Sequence, residues 1–549
     1  MSQHLVAMPL VFALCAVCGS AATVFAQPPD LVPDKPAMQS PHYWCTWYAQ
    51  NYWVQRGGEI TDLSKITNPA ARETLTYHNI FNKEDGWAHY LPRGRGDLTF
   101  LIDHGWQVKA DGGDMLGGAA FFNLVVDPND FPPYAHAAPE EALRKFNAEL
   151  QSLGWRGLGL WVRGSLPVER AKRYVAWSKH AGITYWKIDG GDTRDYASRK
   201  AAQEIYPELI LEHARGPGHF NGPATNPDAK DYPSSFATGG RVAKAALDIL
   251  RHTDVMRTYD VAPHLITPTT LRRIHDLLAQ TAGNPEYRAV LNTQDLPYVS
   301  MGLGTALAAK RHPNYMERTY KGRDLHHQLE DHRRMQARMN EVERLGRWSR
   351  IALPIPAGIG AYAASKEMLT DHFPHDPWST WNKGTYGKTM YQNAPAVMAR
   401  SMPLPTVEMD GDPPYVMAST YPNGATAVAV EGRCRPDKPY FVPRAKVTVQ
   451  IADATKPVGV AGRYGTLVLE FAESVEGVRH VWAQDLLATE ATDIKGRVKI
   501  AGRTITIPGR LIDEVGTSAG NKGDISAPGM VLRLEGDLLP SGAGKAGAR

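Results

Sequence analysis

Between residues 40 and 360 the chain alternates short apolar runs with charged, helix-periodic segments, and few folds accept that pattern. The runs fall at residues 43–48, 98–102, 157–162, 183–188, 209–211, 254–259, 289–292 and 351–354. Segments at 139–153, 168–181, 242–250, 268–280 and 325–345 separate them, with apolar positions at helical spacing. A strand, a helix and a second strand in succession form a parallel βαβ unit. Eight runs of this kind predict a (β/α)8 TIM barrel, whose active site lies at the C-terminal ends of the strands. A doubly wound sheet is the alternative, but no glycine-rich dinucleotide fingerprint follows the first run.

The texture changes after residue 405. Runs at 415–419, 425–431, 446–451, 466–471, 479–482, 497–500, 504–507 and 530–535 are β-rich and are split by Gly, Pro, Asn and Asp. That spacing predicts a C-terminal antiparallel β-sandwich. The expected organisation is therefore a signal peptide over 1–26, a barrel over 27–404 and a sandwich over 405–538, followed by a Gly/Ala/Ser-rich disordered tail over 539–549. Residues 374–393, rich in Trp, Tyr, Gly and Lys, are expected to form an irregular barrel insertion.

The N-terminal expectation rests on the apolar run 5–17, small residues after it, and Val24-Phe25-Ala26 as a small-x-small cleavage site. The run is short for a spanning helix and lacks flanking Lys and Arg. Export to the periplasm or medium, with no membrane attachment after cleavage, is the expectation. A formal charge of +4 with no basic tail or stripe argues against a nucleic-acid partner. Cys15 and Cys18 leave with the signal, and Cys45 and Cys434 are far apart, so no disulfide is expected. No metal-ligand spacing is present, and neither a catalytic metal nor a cofactor is expected.

Strand ends deliver the chemistry. Asp103, His104 and Trp106 follow the second run, and Trp161 and Arg163 share a face of the third. Lys187 and Asp189 share a face of the fourth, because side chains at i and i+2 of a strand point the same way. Glu212 and Arg215 follow the fifth run and Asp260 follows the sixth. Asp254 begins the sixth run and belongs at the barrel bottom, Asp192 caps a helix, and Arg257, of opposite parity to Asp260, is expected to face the helices. Two carboxylates on neighbouring strands among aromatic rings suit glycoside hydrolysis, one as nucleophile and the other as acid and then base.

The order of these motifs resembles the α-galactosidase (melibiase) superfamily, the clan D glycoside hydrolases of families 27 and 36. Its Asp-Asp-Gly-Trp motif is similar to Asp103-His104-Gly105-Trp106, and its Val-Asn-Pro-x-x-Phe-Pro stretch to residues 126–132. Gly159-Leu160-Trp161, Lys187-Ile188-Asp189, Leu209-Ile210-Leu211-Glu212 and Thr258-Tyr259-Asp260 follow in the family's order, with Arg272 and Arg273 on the next helix. The likeness covers residues 43 to about 300. It implies a retaining exo-α-glycosidase acting on an oligosaccharide, polysaccharide or glycoconjugate. Asp189 would be the nucleophile and Asp260 the acid/base, while Asp103, His104, Trp106, Trp161, Arg163, Lys187, Glu212 and Arg215 would hold the sugar. His104 replaces the family's second aspartate, which makes galactose itself an open question. Acidic or N-acetylated sugars stay open, as does a carbohydrate-binding barrel that has lost its chemistry.

Overall fold

The computed structural model describes residues 28–538, apart from 55–57, 60–66, 109–122, 191–193, 195, 215–240, 259–266, 313–317, 321–322, 325–331, 375–388 and 436–439. The expected signal segment and the tail over 539–549 lie outside the described residues. Among the described residues no helix is long and apolar enough to cross a membrane.

Eight strands form one parallel sheet: β1 (Tyr43–Cys45), β2 (Thr99–Ile102), β3 (Gly157–Arg163), β4 (Tyr185–Asp189), β5 (Ile210–Ala214), β6 (Val255–Arg257), β7 (Val290–Asn292) and β8 (Ala308–Ala309). The first seven neighbour one another in sequence order, and β8 returns to pair with β1. A parallel bridge from Asn292 to Ala306 joins β7 to the approach to β8 and completes the ring. The TIM barrel is thus formed.

Strand parity divides each run between two environments. Trp44, Phe100, Leu160, Trp186 and Leu211 point outward into an apolar shell shared with helices Pro139–Ser152 and Val168–Ala181. Tyr43, Cys45, Leu101, Tyr185 and Ala308 point inward and form part of the floor, with Val255, Val290 and Ala306 beside them. Helix Val168–Ala181 ends on Gly182 at φ 68°, a left-handed backbone that glycine adopts without Cβ strain.

Two expectations are corrected here. The eighth strand is Ala308–Ala309, whereas residues 351–354 continue from the 3-10 turn Arg347–Arg350, with Ile351 and Ala352 donating back to the Trp348 carbonyl. Two alanines carry too little apolar or β-branched signal to stand out, while Ile-Ala-Leu-Pro imitates a strand without forming one. Strands Met368–Pro374 and Thr389–Pro395 pair antiparallel over their full lengths, so an ordered hairpin takes in 374 and 389–393 of the segment expected to be irregular. Asn393 from that hairpin accepts from Arg272 at 2.9 Å, fixing it to helix Thr267–Thr281.

The C-terminal region holds two mixed, largely antiparallel sheets. The larger runs in the order Tyr362–Ala364, Val397–Arg400, Tyr415–Thr420, Thr426–Glu431, Val458–Ala461, Gly529–Gly536, Val478–Asp485 and Thr492–Asp493. Its first strand lies well before residue 405. The smaller orders Thr406–Glu408, Lys446–Ile451, Thr466–Phe471, Thr504–Pro508 and Lys499–Ala501. Strands Lys446–Ile451 and Thr466–Phe471 bury alternate residues, as sheets with one wet face do. Thr426–Glu431 is buried throughout. Its second face lies under helix Pro297–Leu303, which connects β7 to β8. Gly302 makes that approach possible, since a Cβ there would come within 2.7 Å of the Met417 Cβ. One apolar core therefore runs from Met256 and Leu271 of the barrel through Met301 to Met417, Val428 and Leu469.

Candidate active site

The barrel mouth is built by residues directly above the apolar floor. Asp103 follows β2, and its backbone N–H donates to Thr46 Oγ1 at 2.9 Å. Thr46 donates to Gln50 Oε1 at 2.7 Å, and Gln50 holds the His104 carbonyl at 3.0 Å. The Asp103-His104 turn is thereby fixed from beneath. Asp103 Oδ2 pairs with Lys187 Nζ and accepts from Cys45 Sγ at 3.0 Å. Burial opposes both charges of the ion pair, but mutual attraction outweighs it, so Asp103 is held below the usual carboxylate range and Lys187 above the usual ammonium range. The Cys45 thiol is pushed up to about 12 by burial and the Asp103 charge, which keeps it protonated.

Asp189 ends β4, and its two oxygens have separate partners. Oδ2 accepts from Arg257 at 2.7 Å and Oδ1 from the Gly190 N–H at 2.8 Å. Gly190 sits at φ 68°, a turn a bulkier residue would strain. Burial would raise the Asp189 pKa, yet the charges of Arg257 and Lys187 and both hydrogen bonds hold the carboxyl well below its usual range. Its side chain keeps 30 % of its accessible surface, so an ionised, oriented carboxylate is presented to the mouth. Lys187 and Asp189 do share a face, but each takes its partner from another strand. Successive same-face residues stand about 6.6 Å apart along a strand, farther than the roughly 4.8 Å between strands.

His104 stacks flat on Trp161, centroids 4.0 Å apart and planes 8° from parallel. Burial and the nearby Arg72 lower the imidazole to about 3, so it is neutral at ordinary pH. Trp106 is fully buried, and its indole N–H donates to the Trp161 carbonyl at 3.2 Å, supporting the wall from behind. Arg163 ends β3 in register with Asp189 and is half-buried. Glu212 sits deeper, fully buried, accepting from Tyr43 at 3.1 Å, Tyr185 at 2.9 Å and Asn292 at 2.7 Å. Asp254 lies at the start of β6, where it accepts from the Leu211 N–H at 3.0 Å and pairs with Arg199. Asp192, Arg215 and Asp260 lie outside the described residues.

Arg257 corrects a sequence expectation. It faces the barrel interior, not the helices. Parity taken from Asp260 points it outward, but β6 ends at Arg257 and alternation does not extend past a strand end. Counting back to Val255, an inward floor residue, gives the observed direction. Lys310 was also missed because it follows the unrecognised eighth strand. It is fully buried near Tyr48, its ammonium 5.5 Å from the ring centroid, and burial together with Lys187 and Arg257 pushes it down to about 8. Among the described residues no three His, Cys, Asp or Glu side chains converge as metal ligands would.

No family model matches the sequence, and no curated protein matches it at a significant level. Solved structures similar to the chain include the carboxyl transferase domain from Rhizobium etli pyruvate carboxylase, at 14 % identity and a TM-score of 0.29, covering 59 % of this chain and 54 % of that one. The maltogenic α-amylase AmyB from Thermotoga neapolitana aligns at 9 % identity and a TM-score of 0.30, covering 86 % and 97 %. The catalytic domain of GH30 xylanase C from Talaromyces cellulolyticus aligns at 9 % and 0.30, covering 92 % and 98 %. Structural neighbours thus include glycoside hydrolases. At these values the likeness assigns no activity. This chain spans about half the length of the carboxyl transferase structure.

Proposed function

We propose that the protein is an exported retaining exo-α-glycosidase of α-galactosidase type. The observation that carries this reading is the Asp189 carboxylate, ionised and held by two donors at a strand end, beside the Lys187–Asp103 pair. In the proposed reaction Asp189 attacks the anomeric carbon, and Asp260, three residues beyond Arg257 in sequence, protonates the departing oxygen and then activates water. Lys187 donates to ring hydroxyls while Asp103 accepts from them. Neutral His104 supplies one donor and one acceptor where a carboxylate would only accept, so it sets which hydroxyl pattern is taken.

The test is turnover on a panel of aryl α-glycosides, with NMR of the first-formed sugar. Retention requires the α-anomer before mutarotation. An initial β-anomer rules out double displacement. Saturable sugar binding without release from any panel member would instead favour a binding barrel.

Arg257 has its own expected signature. Arg257→Ala should lower kcat/KM by about a hundredfold, the scale for losing one preorganised charged donor. Its acid limb should also move to higher pH. The nucleophile must be ionised, and without Arg257 burial acts against less opposition, so Asp189 takes up its proton at higher pH as the solution is acidified. A pH–rate profile with an unmoved acid limb would remove Arg257 from this role.

A further inference from the structure

On the outside of the barrel, at the strand ends away from the mouth, a cavity of about 350 Å3 opens between helices Ala197–Ile205 and Arg241–His252. Tyr196 and His252 form one wall, stacked at 4.8 Å and 26°, with the Tyr196 hydroxyl donating to Asp248 at 2.7 Å. Arg199, Lys200, Arg251 and Arg288 supply four cationic heads from three different elements.

Two of the four are accounted for within the protein. Arg199 pairs with Asp254. Arg251 lies over the Tyr287 ring, donates to its hydroxyl at 2.9 Å and stands 3.5 Å from Glu286. As a last-turn cation it also complements the carbonyl end of its helix, as His252 does when protonated. Lys200 and Arg288 differ. Lys200 comes from the neighbouring helix and Arg288 lies two residues before β7, and both are exposed; neither pairs with a carboxylate among the described residues. A concave site of ligand size with surplus positive charge from separate elements favours a compact anion. An Arg fork beside a Lys point charge suits the oxygens of a tetrahedral oxyanion.

We propose that this cavity binds a phosphate or sulfate ester carried on a sugar-sized molecule, at a site separate from the barrel mouth. Titration calorimetry of the full chain at low ionic strength, with glucose 6-phosphate, glucose 6-sulfate and plain glucose, tests it. One or both esters should bind saturably, glucose should show no binding at this cavity, and the tighter ester identifies the group recognised. Lys200→Gln/Arg288→Gln should weaken ester binding by at least about tenfold, since a hydrogen bond to a charged group contributes on the order of 1.5 kcal/mol or more. Both residues are exposed, so the melting curve should stay in place, and Lys200→Arg should retain binding. Asp189→Asn should bind the ester as the parent does. Failure of both esters to saturate, a double variant within about twofold of the parent, or loss of binding in Asp189→Asn would each overturn the proposal.

Discussion

Asp189→Ala is expected to lower kcat by on the order of 10⁴-fold or more, the scale seen when a nucleophile is removed from a group that acts as a unit. The expectation follows from the dual anchoring of Asp189. Arg257 and the Gly190 N–H orient the carboxylate at the end of β4, and a truncated side chain offers no atom to form a glycosyl intermediate. Asp189→Asn keeps the shape and an acceptor for Arg257, so its fold should match the parent while turnover is still lost. A fluorosugar inactivator of matching configuration should label Asp189, as read by peptide mass spectrometry. A label on another carboxylate, or an Asp189→Asn enzyme of near-parental kcat, would place the nucleophile elsewhere.

The largest expected effect on stability comes far from the mouth. Arg344 is fully buried at the junction of helix His332–Gly346 with the C-terminal sheet. It donates to Asp485 at 3.0 Å and Ser526 at 2.7 Å, while Asp485 also accepts from the Leu487 and Ala519 N–H groups. Arg344→Ala leaves a buried carboxylate without its cation, and a loss of about 3–5 kcal/mol is expected. Replacing the pair together, as Arg344→Met/Asp485→Asn, should recover part of that loss, because both buried charges are removed while an amide oxygen stays as acceptor for the Leu487 or Ala519 N–H. Urea unfolding followed by tryptophan fluorescence measures both. An Arg344→Ala variant within about 0.5 kcal/mol of the parent would show that the pair contributes little.

The barrel was legible where strands carried their own signal. Residues 185–189 join aromatic and β-branched residues in a short apolar run that ends on a glycine, so both the strand and the shared face of Lys187 and Asp189 could be read. Partner choice could not. The Asp103–Lys187 and Asp189–Arg257 bonds cross between strands, and sequence separation says nothing about which inward residues meet across a barrel. β8 was illegible for another reason: Ala308–Ala309 is defined by its neighbours on both sides, not by local propensity. The buried strand Thr426–Glu431 was recognisable as β-rich, but its cover of helix on one face depends on a segment more than a hundred positions earlier.

That covering helix has a consequence for how such a protein can be divided. Pro297–Leu303 lies in the connection leading into β8, and thus towards Lys310, while its outer side rests on Tyr415–Thr420 and Thr426–Glu431. In a free-standing barrel this outer side would meet water; here Gly302 packs on Met417 and Ala429, and its carbonyl accepts from Ser419. A gene truncated after the barrel would therefore express a polypeptide with an exposed apolar seam and a poorly supported last strand. The barrel would not be inherited or transplanted as an independent cassette, and changes along strands 415–431 would be felt at the mouth through β8.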